Sequence, residues 1–158
     1  MKTLIVYASK HGCARKAAEK IRAALGDETE ITDVRQSARF KLDQFERVII
    51  GGSIHIGRIQ SRVRNYIKKN LAQLLEKQVG LFICHMAEAA EAEQEFKNAY
   101  PQQLIEQAKA TGLFGGEFNF EKMSFVEKYM VKKVGKVTES VSRINEDNIA
   151  KFIEKIRK

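Results

Sequence analysis

Three short segments of this chain are apolar almost without interruption and rich in β-branched residues: 3–8 (TLIVYA), 47–51 (RVIIG) and 79–84 (VGLFIC). A strand with one wet face alternates apolar and polar residues, whereas a strand covered on both faces does not need to. Each run gives way to a loop and then to helical spacing. After the first come Ala14, Ala17, Ala18, Ile21 and Leu25, with Arg15, Lys16, Lys20 and Arg22 on the other side and Gly26 at the end. After the second, Val63, Tyr66, Ile67, Leu71, Leu74 and Leu75 form one stripe. After the third, helical sequence covers 89–100, and a further helix starts at Pro101, a residue suited to a first turn. Weaker strands read at 30–34 and 113–118, the latter thinned by Gly115 and Gly116. A last helix carries Ile149, Phe152, Ile153 and Ile156 on one face.

Strands alternating with helices at this spacing imply βαβ units, and so an α/β fold. The expectation is a doubly wound, five-stranded parallel sheet of order 2-1-3-4-5 with helices on both faces. The 158 residues suit one domain, 1–158, with no proline- or serine-rich linker. Such sheets bind ligands beyond the carboxyl ends of the strands, where the strand order reverses. The loops at those ends are 9–14, 52–58 and 84–88.

The first of these opens directly into a helix, so its amides and the helix dipole offer a place for a phosphate. Gly12 permits a tight turn, Ser9 brings a hydroxyl, and Lys10 and Arg15 bring positive charge. The segment lacks both the GxxxxGK[ST] and the GxGxxG patterns, so neither a nucleoside triphosphatase nor a dinucleotide binder is indicated. All three histidines, His11, His55 and His85, and both cysteines, Cys13 and Cys84, fall in these loops. That clustering points to a site. A metal centre competes as an explanation, but no CxxC or HxxxH pair is present, and no metal is expected. One strand separates the strands that precede the two cysteines, which sets them roughly 10 Å apart. A disulfide needs Cα atoms within about 7 Å, so none is expected.

The net charge of +8 fits either plain solubility or an anionic partner. No nucleic-acid motif accompanies it, so acidic lipid or a carboxylate-bearing substrate fits better than nucleic acid. Segment 121–143 is the basic focus. Met123, Val126, Met130, Val134 and Val137 follow helical spacing beside Lys128, Lys132 and Lys136. It reads as an amphipathic insertion that packs on the domain, meets anionic lipid or a carboxylate-bearing apolar substrate, or, with Gly135 weakening the helix, serves as a lid. The first apolar run is too short for a signal-peptide core or a span, which suggests a cytoplasmic protein, peripheral at most to the inner face of the membrane.

Three motifs carry a family resemblance: MKTLI with the loop 9–15, the run 48–57 (VIIGGSIHIG), and the basic segment FVEKYMVK at 125–132. The chain resembles the flavodoxin-like superfamily, and within it the quinone-dependent protoporphyrinogen oxidases. The resemblance implies a flavodoxin-like fold and flavin mononucleotide (FMN) as cofactor. It implies that Ser9, Lys10, His11, Gly12, Cys13 and Ala14 hold the phosphate. Ser53, Ile54, His55, Ile56 and Gly57 would line one side of the ring, and Cys84, His85 and Met86 the other. It also implies dehydrogenation of a porphyrinogen with a quinone as acceptor. His85 and His55 are the candidate proton-transfer residues. A positive surrounding leads one to expect a less negative flavin potential than an acidic flavodoxin has. A small electron carrier docking a redox partner is the alternative function, and a binding module without redox chemistry a third.

Overall fold

The structure is a computed structural model and describes residues 1–118, 141–142 and 144–158. In chain order the elements are β1 (Thr3–Tyr7), α1 (Cys13–Leu25), β2 (Thr29–Asp33), β3 (Arg47–His55), β4 (Arg58–Ile59), α2 (Ser61–Leu74) and β5 (Gln78–Cys84). They continue with α3 (Ala89–Ala99), α4 (Gln102–Gln107), β6 (Ala110–Leu113), β7 (Glu117–Phe118), β8 (Val141–Ser142) and α5 (Glu146–Arg157).

The main sheet runs β2-β1-β3-β5-β6, every neighbouring pair parallel. This is the expected 2-1-3-4-5 order, because β4 is a two-residue strand paired antiparallel to the end of β3. Side chains alternate across the sheet, and both faces are covered. Leu4, Val6, Val48, Ile50, Val79, Leu81 and Ile83 bury against Val63, Ile67 and Leu74 of α2 and Phe96 and Leu104 of α3 and α4. Ile5, Ile49 and Phe82 bury on the other face against Ala14, Ala17, Ala18 and Ile21 of α1 and Ile149, Phe152 and Ile156 of α5. The alanine row lets α1 lie close to the sheet. Tyr100, fully buried, directs its hydroxyl at the carbonyls of Phe82 (2.6 Å) and Ile50 (3.3 Å), which ties β5 to β3. Burial pushes its phenol well above the usual range.

Three boundaries differ from the sequence reading. The last strand of the main sheet is Ala110–Leu113, not 113–118. Phe114 turns its ring into the core, stacked on Phe82 at 4.8 Å and edge-on to Phe152, and Gly115 takes φ 72, so the extended run breaks there. Glu117 and Phe118 then pair with β8 in a separate two-stranded ladder. The second strand stops at Asp33, whose carboxylate accepts the Arg35 N–H and caps a 3-10 turn beginning at Val34. Pro101 stands just before α4, its carbonyl accepting the N–H groups of Leu104 and Ile105. Of the basic segment 121–143, only 141–142 belongs to the described residues.

Candidate functional site

β1 stays paired past its last residue, with the Ala8 N–H donating to the Gly51 carbonyl at 3.0 Å. The chain then turns at 9–12. Ser9 Oγ accepts the Gly12 N–H at 3.0 Å, and Gly12 takes φ 97 with open space where a Cβ would sit. The first helical bond follows, from the Lys16 N–H to the Gly12 carbonyl at 2.9 Å. No side chain caps α1, and its first turn holds no acidic residue. The start of the helix therefore offers its amides and its partial positive charge to an anion. One amide of the loop, that of Gly12, is turned inward to Ser9. Ala14 is fully buried against the sheet, so it offers the loop main chain only.

The second loop is the tip of the β3–β4 hairpin. Its two central residues, Ile56 and Gly57, have φ 51 and 74, the positive values that suit a two-residue hairpin turn. A β-branched residue rarely adopts such a φ, and Ile56 is also 55% exposed. Behind the tip, Gln60 accepts the Ser53 N–H on Oε1 at 3.0 Å and donates from Nε2 to the Ala8 carbonyl at 3.3 Å. One side chain thus spaces the first loop from the second. Gly52 makes room for it, since a Cβ there would lie 2.8 Å from Gln60 Oε1. Across the gap, Lys10 Nζ approaches His55 Nε2 at 3.5 Å, and the His11 and His55 rings lie 6.3 Å apart.

The third loop is held by Gly115. The His85 N–H donates to the Gly115 carbonyl at 2.7 Å, and the Gly115 N–H donates to His85 Nε2 at 3.3 Å. His85 Nδ1 faces the Ala87 carbonyl at 3.1 Å. Those partners fit a neutral ring with its proton on Nδ1. Burial lowers the His85 pKa, opposed by the Ala87 bond. Gly116 presses on the same loop, where a Cβ would fall 2.6 Å from the His85 carbonyl oxygen.

The three loops meet around one half-open cleft of about 40 Å³, lined by Lys10, His11, Cys13, Ser53, Ile54, His55, Cys84, His85, Met86 and Gly116. Ser9, Gly12, Ala14, Ile56 and Gly57 lie in the same loops but do not line it. A larger cleft, about 850 Å³, lies between the 3-10 turn and α2, lined by Arg35, Lys41, Arg62 and Lys69 among others, and shares no residue with these loops.

The expected separation of the two cysteines is corrected by the structure: Cys13 Sγ and Cys84 Sγ are 2.7 Å apart. Strand spacing was the wrong measure, because Cys13 belongs to the first turn of α1, which crosses the sheet toward β5. Three site residues escaped the sequence reading. Gln60 leaves no local signal. Gly115 and Gly116 were visible as a glycine pair after a strand, but only as strand breakers. Among the described residues, no group of three His, Cys, Asp or Glu side chains is placed to hold a metal, and no helix is long and apolar enough to cross a membrane.

Residues 4–145 match the model of the flavodoxin domain, and the chain belongs to that family. That membership agrees with FMN as the cofactor. Among curated proteins, the chain is 23% identical over 146 residues to a protoporphyrinogen IX dehydrogenase [quinone] of Leishmania major, covering 87% of this chain and 63% of that protein. It is 20% identical to the enzyme of the same description from Escherichia coli K12, covering 87% and 81%. The chain therefore spans under two thirds of the first relative and about four fifths of the second. In fold it is similar to the two-electron reduced flavodoxin of Megasphaera elsdenii, with a TM-score of 0.57 at 20% identity, covering 70% of this chain and 84% of that one.

Proposed function

We propose that this chain binds FMN across 9–14, 53–57 and 84–86 and acts as an FMN-dependent oxidoreductase, dehydrogenating a porphyrinogen and passing the electrons to a quinone. The observation that carries the reading is the meeting of these three loops at the carboxyl ends of β1, β3 and β5, where the strand order reverses. The residues fit the cofactor. The uncapped first turn of α1, the open space beside Gly12 and the ammonium of Lys10 suit a phosphate monoester. The ring lies against the half-open cleft, with exposed Ile56 as one apolar wall and Met86 as the other. When bound, FMN supplies the two-electron chemistry. The chain's part is to orient it, to keep water from its buried side, and to set the Lys10 ammonium beside it, which raises its potential.

The substrate class rests on the likeness to the two dehydrogenases. The β7–β8 ladder adds support: Glu117 and Phe118, directly after Gly116 of the cleft, pair with Ser142 and Val141. The basic segment between them is proposed to meet the substrate's carboxylates or an anionic membrane surface, consistent with a cytoplasmic protein peripheral to the membrane. His55 and His85 are the proposed proton-transfer candidates, and His55, beside Lys10, is the better placed of the two. Both ring nitrogens of His85 already face main-chain groups.

The test is an absorbance spectrum of the purified protein, then a protoporphyrinogen assay with a quinone acceptor. A yellow protein with quinone-dependent turnover is expected. A colourless protein that refuses micromolar FMN overturns the flavin reading. A yellow protein without turnover overturns the substrate and leaves an electron carrier. Deletion of 121–140 is expected to abolish turnover and spare FMN binding.

A further inference from the structure

Cys13 and Cys84 stand 71 positions apart in the chain, one opening α1 and the other closing β5. Their sulfurs are 2.7 Å apart, with the Cys13 S–H directed at Cys84 Sγ. A disulfide bond spans about 2.05 Å, so a displacement of roughly 0.7 Å joins them. Both side chains are nearly buried, at 4% and 2% exposure, yet both line the cleft between the loops. Its 40 Å³ exceeds the roughly 10–15 Å³ that one water needs on the same measure. A molecule the size of hydrogen peroxide fits such a space.

We propose that Cys13 and Cys84 form a redox pair, which a small hydroperoxide converts to an intramolecular disulfide and a small dithiol restores. The hydrogen bond that the Cys84 thiol shares with Cys13, and then burial, push it well up, so Cys84 keeps its proton and acts second. Cys13 sulfur attacks a peroxide oxygen, the O–O bond breaks, and the leaving oxygen takes the thiol proton and departs as water or alcohol. Cys13 then carries a sulfenic acid. Cys84 sulfur attacks Cys13 sulfur, the S–O bond breaks, and the hydroxyl leaves as water with the Cys84 proton. The two thiols give up two electrons and the peroxide receives them. The bond ties the first loop to the third, so it fixes the width of the cleft between them. None of this depends on the flavin reading.

The test uses the reduced full-length chain with stoichiometric hydrogen peroxide. Thiols are counted after denaturation, and the digest is mapped by mass. Both thiols are expected to vanish together, with loss of two hydrogen atoms from the chain, a peptide joining Cys13 to Cys84, and full recovery in dithiothreitol. In Cys84→Ser, dimedone is expected to trap a sulfenic acid on Cys13. Should that variant not fold, the wild-type peptide map decides alone. Survival of both thiols under excess peroxide overturns the proposal. So does oxidation of one cysteine to the sulfinic acid beside a free partner, or a disulfide that joins two chains.

Discussion

The ring of Phe82 lies over Gly51 so closely that a Cβ at that glycine would fall 2.0 Å from the ring's outermost carbon. The two residues face each other across the β3–β5 pairing. Phe82 has nowhere to retreat, with Phe114 stacked on it and Phe152 against its edge. Gly51→Ala is therefore expected to destabilise the fold by about 3 kcal/mol, the upper part of the overpacking range. Urea unfolding checks it, and an unchanged midpoint would mean that the aromatic cluster yields.

Gln60 spaces the first two loops, and its substitution separates stability from binding. Gln60→Ala leaves the Ser53 N–H and the Ala8 carbonyl without their partner, at a cost of about 1–3 kcal/mol. Weaker FMN uptake is expected along with a lower melting temperature. Gln60→Glu keeps the acceptor for Ser53 but loses the donor to Ala8, so an intermediate loss is expected. Equal losses in the two variants would show that the Ser53 bond adds nothing.

Ile56 holds a positive φ while exposing an apolar side chain. Such a conformation costs of order 1–3 kcal/mol in a β-branched residue. Ile56→Gly is expected to raise stability by about 1 kcal/mol once the added freedom of the unfolded glycine is deducted. If the side chain serves as a wall of the flavin site, FMN affinity falls in the same variant. A melting curve and a flavin titration on one preparation read both effects, and a gain in stability without a loss in affinity would remove Ile56 from the site.

His85 makes the fold sensitive to acid in a definite direction. Its folded pKa lies below the ordinary value near 6.5, chiefly through burial. The unfolded chain therefore takes up the proton first as pH falls. The stabilising contribution is full above about pH 6.5, declines as pH drops toward the lower folded value, and levels off beneath it. Protonation also turns Nε2 into a donor facing the Gly115 N–H. His85→Asn keeps a donor for the Ala87 carbonyl and removes the titration. Denaturant midpoints from pH 7.5 down to 5 are expected to fall more steeply in the wild type than in the variant, and parallel curves would contradict this.

Much of the architecture was legible along the chain. The runs at 3–8, 47–51 and 79–84 are apolar because both sheet faces are covered, and that requirement leaves a mark on every residue of a strand. The stripes through Ala14–Ile21 and Ile149–Ile156 mark the helices that cover one face. The three loops followed, since strand order alone puts their ends on one edge. Contacts between distant segments left no such mark. Nothing near Gln60 announces that its amide reaches Ala8, nothing near Phe114 says that its ring ends the strand, and strand spacing misplaced Cys13 relative to Cys84. Periodic burial is a local property that sequence records residue by residue. The distance between two side chains is decided by how closely α1 and the β6–β7 turn settle on the sheet, and only the packed structure sets it.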